Sequence, residues 1–191
     1  AVGERAAYQA LLATLEAERE RDPAMHVYHF APYEPAALRR LRGATGEGEA
    51  LVDRLLREQR FVDLMAVTRQ ALRVGVESYG LKPLEAVTGY QRALPLDAAG
   101  AAMRRVRVML QRGDAAAVTP AWRAAVLQYN EDDCRSARAL RDYLEAQRAA
   151  LVAGGVDVPR PEPPEPPEPK EETTERRAQI AAAAAALRDR A

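Results

Sequence analysis

Apolar and polar positions recur with a helical period over most of this chain. From about Glu4 to Glu20, charged residues alternate with Leu and Ala at helical spacing, and Asp22-Pro23 ends that helix. Met25 to Phe30 is short and rich in β-formers, so it predicts a buried strand. A turn at Ala31 to Pro35 leads into a helix that begins near Pro35, and a Gly-rich break spans Gly43 to Gly48. A further helix is predicted over Glu49 to Glu58. Phe61 to Leu64 reads as a short extended piece feeding a helix to Leu72, with Asp63 placed to cap it. Ser78 to Glu85 opens a short helix, and two longer ones follow over Asp97 to Gln111 and Pro120 to Val152. Thr119 and Pro120 give the last of these a cap and a proline at its first position.

On this longest helix, Trp122, Val126, Tyr129, Asp133, Ala137, Leu140 and Leu144 fall on one stripe, the predicted inward face. Asp133 thus stands where the pattern asks for an apolar side chain. An inward carboxylate is costly unless it is paired, hydrogen-bonded or bound to a metal, so Asp133 points to chemistry. Glu131 and Asp132 lie off the stripe and are expected to be solvated. Cys134 beside them is expected to be a small packing residue.

Composition adds limits. Of 191 residues, 48% are hydrophobic but only 5% aromatic, so the core is built from Ala, Leu and Val. The single cysteine excludes an internal disulfide framework and a cysteine-based zinc site. The net charge of zero hides an asymmetry: seven acids and two bases lie between Asp157 and Glu175, which leaves a mild basic excess elsewhere. That excess suits a polyanionic partner, and equally suits solvated arginine-rich helix faces. Residues 159–169 hold seven of the thirteen prolines, the signature of an extended linker. A helix over about Thr174 to Arg190 is predicted to lead toward a further region. No apolar run approaches the roughly 20 residues of a membrane span, and no signal peptide is visible, as for a cytoplasmic protein. The start at Ala1, already inside a helical pattern, reads as a piece of a longer polypeptide.

Two segments carry a resemblance. Tyr28-His29-Phe30-Ala31-Pro32-Tyr33-Glu34 is a strand running into an acid, and Tyr129-x-x-x-Asp133 pairs two residues on one helix face. They resemble the second and third motifs of the DEDD-type 3′–5′ exonucleases of the ribonuclease H-like superfamily, tyrosine subclass, with Glu34 at the place of an Asp. Together with Val62-Asp63-Leu64 and Ser78-Tyr79-Gly80-Leu81-Lys82-Pro83-Leu84-Glu85, they resemble the nuclease domain of bacterial RecB-like nucleases, which is fused to a superfamily-one helicase.

The resemblance implies an α/β, ribonuclease H-like domain over residues 1–152, with a truncated, helix-flanked sheet, a Pro/Glu-rich linker at 153–173 and a helix at 174–191 leading to a helicase-like region. It implies hydrolysis of phosphodiester bonds in single-stranded DNA or RNA by two Mg²⁺ or Mn²⁺ ions, which need several converging acidic oxygens. Asp133 and Glu34 would be metal ligands, Tyr129 would orient the attacking water, and Lys82, His29 and Tyr33 would contact nucleic acid. The family's first motif, a strand bearing Asp-x-Glu, does not occur in the chain and is expected upstream of Ala1, which would leave the chain by itself catalytically incomplete.

The residues admit other readings. Asp133 fits a buried acid paired with an arginine such as Arg39 or Arg104, Glu34 a helix N-terminal acid, Tyr129 a core tyrosine and Asp63 a cap. His26 and His29 point to opposite strand faces and fit structural roles. A catalytically degenerate nucleic-acid-binding module and a helical interaction domain therefore stand as alternatives.

Overall fold

The computed structural model describes residues 2–160 and Gln179. The chain divides into two compact units, Ala1–Arg160 and Pro161–Ala191. The predicted proline-rich linker and final helix lie outside the described residues, except for the linker's first residues and Gln179, which is helical.

The first unit runs α1 (Val2–Arg21), β1 (Val27–His29), α2 (Tyr33–Thr45), α3 (Glu49–Arg57), β2 (Phe61–Asp63), α4 (Leu64–Ala71), α5 (Leu81–Thr88), α6 (Leu96–Gln111) and α7 (Pro120–Ala153). It is an α/β unit rich in helix. The two strands pair in parallel, with Val27 opposite Phe61 and His29 opposite Asp63. Parallel strands require a crossover, and α2 and α3 supply it. No helix among the described residues is long and apolar enough to cross a membrane.

Most predicted boundaries hold to within a few residues. The strand predicted from Met25 to Phe30 is shorter, because Ala31 turns into the left-handed region at φ 62° and takes the chain out of the sheet. The expected break at Gly43 is a helical turn instead, and α2 continues until Gly46 closes it at φ 69°. Asp63 caps α4, accepting from the backbone N–H of Met65 at 2.9 Å. The same carboxylate oxygen accepts from Ala31 N–H at 2.9 Å, so one side chain ties the ends of both strands to α4.

Two apolar clusters hold the unit. Tyr8, Leu38 and Val52 bring α1, α2 and α3 together, with Phe61 of β2 against them. Leu64, Leu84 and Leu140 join α4, α5 and α7, with Phe30, Ala137 and Leu144 packed around them. Burying such leucines stabilises by about 1.5–3 kcal/mol each. Tyr79 spans the connection between α4 and α5, its hydroxyl donating to Leu72 C=O at 3.1 Å.

The stripe on α7 is corrected in one respect. Its fully buried residues are Asp132, Ser136 and Leu140, a line displaced by one position from the predicted Tyr129–Asp133–Ala137 line over its first two turns. Asp132, expected in solvent, is 1% exposed, whereas Asp133 keeps a third of its side chain accessible. The cause is the segment after α5: its backbone N–H groups line this side of α7 and receive a carboxylate that no apolar neighbour would. Cys134, expected to pack, is exposed. Glu131 is exposed as expected and pairs with Arg135 at 2.6 Å.

Candidate functional site

The site forms where α5 and the segment after it meet the middle of α7. Gly80 precedes α5 in extended conformation, and Gly89 ends it at φ 72°, a left-handed turn that suits glycine. That turn sends Tyr90 to Leu94 along α7. Leu84 anchors α5 in the core. Lys82 and Glu85, three residues apart on one helix face, are then presented to α7.

Asp132 fixes the segment. It accepts from Tyr90 Oη at 2.9 Å, Ala93 N–H at 3.1 Å and Leu94 N–H at 3.2 Å. Burial pushes its carboxyl up, but the bonds from Ala93, Tyr90 and Leu94 and the nearby Arg92 charge outweigh that, and the group sits below the ordinary carboxylate range. Its partner Tyr90 moves the other way: burial first, then the Asp132 bond and charge, push the phenol up to about 12.

Arg92, held in place by this anchorage, is almost wholly buried. Its Nη2 donates to Glu85 Oε1 at 2.7 Å and to Asp133 Oδ1 at 2.6 Å, and its Nε donates to Glu85 at 3.0 Å. The two carboxylate oxygens therefore share one nitrogen and lie within two hydrogen-bond lengths of each other. Burial alone would lower the guanidinium pKa; the bonds and charges of Glu85 and Asp133 more than reverse it. The arginine partner of Asp133 is thus Arg92, and neither Arg39 nor Arg104.

Tyr129 stands one turn before Asp133. Lys82 Nζ donates to its hydroxyl at 2.8 Å, and both cations lie near its ring, Lys82 at 5.1 Å and Arg92 at 5.5 Å from the centroid. Lys82 is exposed and Tyr129 half-buried, so this cation–phenol pair opens to solvent.

Glu34 approaches from the start of α2, where the helix dipole favours an acid. It is half exposed, and His29 Nδ1 lies 4.0 Å from its Oε2. That nitrogen also lies 2.6 Å from Ala31 C=O, and the buried imidazole packs edge-on to Phe61, while His26 is exposed. Burial first, then the charges of Asp133, Glu34 and Glu131, push the Cys134 thiol up. Tyr33 is 78% exposed beside Glu34, and Asp63 is occupied as a cap.

A divalent cation of the Mg²⁺ type takes several converging oxygens. Glu34 and Asp133 are donors of the right hardness, but Arg92 holds Asp133 and Glu85, and among the described residues no group of three or more His, Cys, Asp or Glu is placed to hold a metal ion. These residues do not make a metal centre by themselves. What the arrangement does offer is an exposed lysine–tyrosine pair beside a partly open carboxylate.

Tyr129, Asp133, Lys82 and Glu34 are named by the sequence pattern; Glu85, Arg92 and Tyr90 are not, and Asp132 was expected in solvent. The Asp132-Asp133 doublet was the one available signal, since two adjacent acids on a helix cannot share a face.

The profile of the RNase_H_2 family, described as RNase_H superfamily, matches residues 2–145. The chain belongs to this superfamily, which gives it a nuclease-like, nucleic-acid-related character. No curated protein and no solved structure matches it.

Proposed function

We propose that the chain is a nuclease module that hydrolyses phosphodiester bonds in single-stranded DNA or RNA with 3′–5′ polarity, within a polypeptide that also carries a helicase region. The observation that supports this best is the shared face of α7 and α5: Tyr129 and Asp133 one turn apart on α7, with Lys82 on the tyrosine hydroxyl. In this reading Lys82 meets a phosphate oxygen and holds the Tyr129 hydroxyl toward the reacting bond. Tyr33, exposed on α2, borders the nucleic-acid strand, while His29 is buried behind it and does not reach the strand. Asp133 and Glu34 would offer two carboxylates to Mg²⁺ or Mn²⁺. When bound, such ions activate water and neutralise the leaving oxygen. Asp132 and Arg92 are positioning residues, which set where Asp133 points.

A second reading has its own support. The grip of Arg92 on Asp133, with no third acid joining Glu34 and Asp133 among the described residues, fits a module that binds nucleic acid without cutting it.

Incubation with end-labelled single strands and Mg²⁺ or Mn²⁺, for the natural protein and an Asp133→Ala variant of matched melting temperature, separates them. Metal-dependent shortening that vanishes in the variant supports the nuclease. Binding without shortening favours the second reading. Equal shortening by both proteins removes Asp133 from the chemistry.

A further inference from the structure

The outer face of α6 and the start of α7 carries a charge pattern that the site does not use. From Ala98 to Gly113 the sequence holds four arginines, Arg104, Arg105, Arg107 and Arg112, and no acid; from Ala115 to Asn130 it adds Arg123, again with no acid. All five are exposed. The helical period explains why: Ala99 and Ala102 are buried, Met103 and Val106 half-buried, and the arginines occupy the opposite arc.

Many arginines elsewhere are neutralised, although Arg39, Arg42, Arg54, Arg69, Arg73 and Arg148 are not and lie scattered over the rest of the unit. Arg5 pairs with Glu47, Arg40 with Glu4, Arg57 with Asp53 and Arg160 with Glu145. Among the described residues, none of the five on α6 and α7 has an acid within ion-pair distance. The Arg105 guanidinium lies 5.6 Å from the Trp122 ring centre. The Arg104 guanidinium folds back over Gly100, where a Cβ would come within 3.3 Å of Nη1. Beside them an open groove, lined by Val106, Arg107, Leu110 and Val126, offers apolar surface, and Leu110 and Leu127 are 57% and 63% exposed.

We infer that this face binds the phosphate backbone of a single-stranded nucleic acid. Unpaired guanidiniums on one exposed arc match a row of phosphates, and the apolar groove beside Arg107 suits unstacked bases better than a closed duplex. The inference rests on the nucleic-acid reading above and adds to it a tract for the strand, distinct from the α5–α7 site.

The test is fluorescence anisotropy of a labelled single strand across a salt series, in EDTA so that no cleavage intervenes. Three proteins are compared: the natural chain, the triple variant Arg104→Ala/Arg105→Ala/Arg107→Ala, and a control triple, Arg5→Ala/Arg57→Ala/Arg160→Ala, with the same charge change. The α6 triple is expected to weaken binding at least about tenfold and to flatten the log–log salt dependence by about two, near 0.7 for each phosphate no longer neutralised. The control triple is expected to change affinity less than about threefold. Equal weakening by both triples overturns the inference, because net charge alone then explains binding. Unchanged binding by the α6 triple overturns it while leaving the nuclease reading standing. Binding of the natural chain to phosphatidylglycerol vesicles and to no oligonucleotide overturns both.

Discussion

Arg92 donates through Nη2 to Asp133 Oδ1 at 2.6 Å, and it does so from a segment that the neighbouring Asp132 anchors through two backbone N–H groups and Tyr90. Consecutive residues of α7 therefore divide the work. Asp132, inside, holds the segment; Asp133, at the edge, receives its charge.

Removing the guanidinium leaves Glu85 and Asp133 facing each other uncompensated. Arg92→Ala is expected to lower the free energy of unfolding by about 3 kcal/mol, the low end for a broken buried pair because Asp133 is partly solvated. Urea denaturation measures it, and a loss under about 1 kcal/mol would show that the pair does little for the fold.

Asp132→Ala strands the Tyr90 hydroxyl and the N–H groups of Ala93 and Leu94, at an expected cost of about 2–4 kcal/mol. If the segment then loosens, amide hydrogen exchange at Ala93 and Leu94 rises more than in the α7 backbone. Uniform exchange across both would contradict a local anchoring role.

The pair also titrates. Because Asp132 has a lowered pKa in the fold, its stabilisation is complete above the ordinary carboxylate value near 3.9 and is lost as pH falls below it. Tyr90, raised to about 12, works in reverse: its contribution is complete below about pH 10 and fades as pH climbs through the folded value. Melting temperatures over pH 2–12, compared with Tyr90→Phe, read both. The variant should lose the alkaline decline that belongs to Tyr90, and an unchanged alkaline limb would count against the assignment.

Gly48 begins α3 at φ 68°, and a Cβ there would stand 2.5 Å from Leu12 Cδ1. Gly48→Ala therefore strains the backbone and displaces a leucine that packs on the first apolar cluster. We expect a loss of about 1–3 kcal/mol by chemical denaturation. A neutral result would mean that α1 yields freely.

Helices and caps were legible because their signals are local: Asp63 before Leu64, Thr119 before Pro120, and the apolar period of α6 and α7. The short sheet was legible only in outline, since three-residue strands lack a period of their own. The Arg92–Glu85–Asp133 cluster was not legible. Glu85 and Arg92 are seven residues apart across a left-handed glycine, so helical spacing says nothing of their meeting. The burial of Asp132 was hidden for a related reason: a polar line on a helix looks solvated until backbone donors from elsewhere cover it.

The most direct measurement is the rate at which the protein shortens a 3′-labelled single strand in Mn²⁺, set beside Asp133→Asn and Asp132→Asn at temperatures where each remains folded. Asp133→Asn is expected to abolish shortening with an unchanged strand affinity, while Asp132→Asn retains a measurable rate and loses stability. Full activity in Asp133→Asn would contradict a catalytic role for this carboxylate.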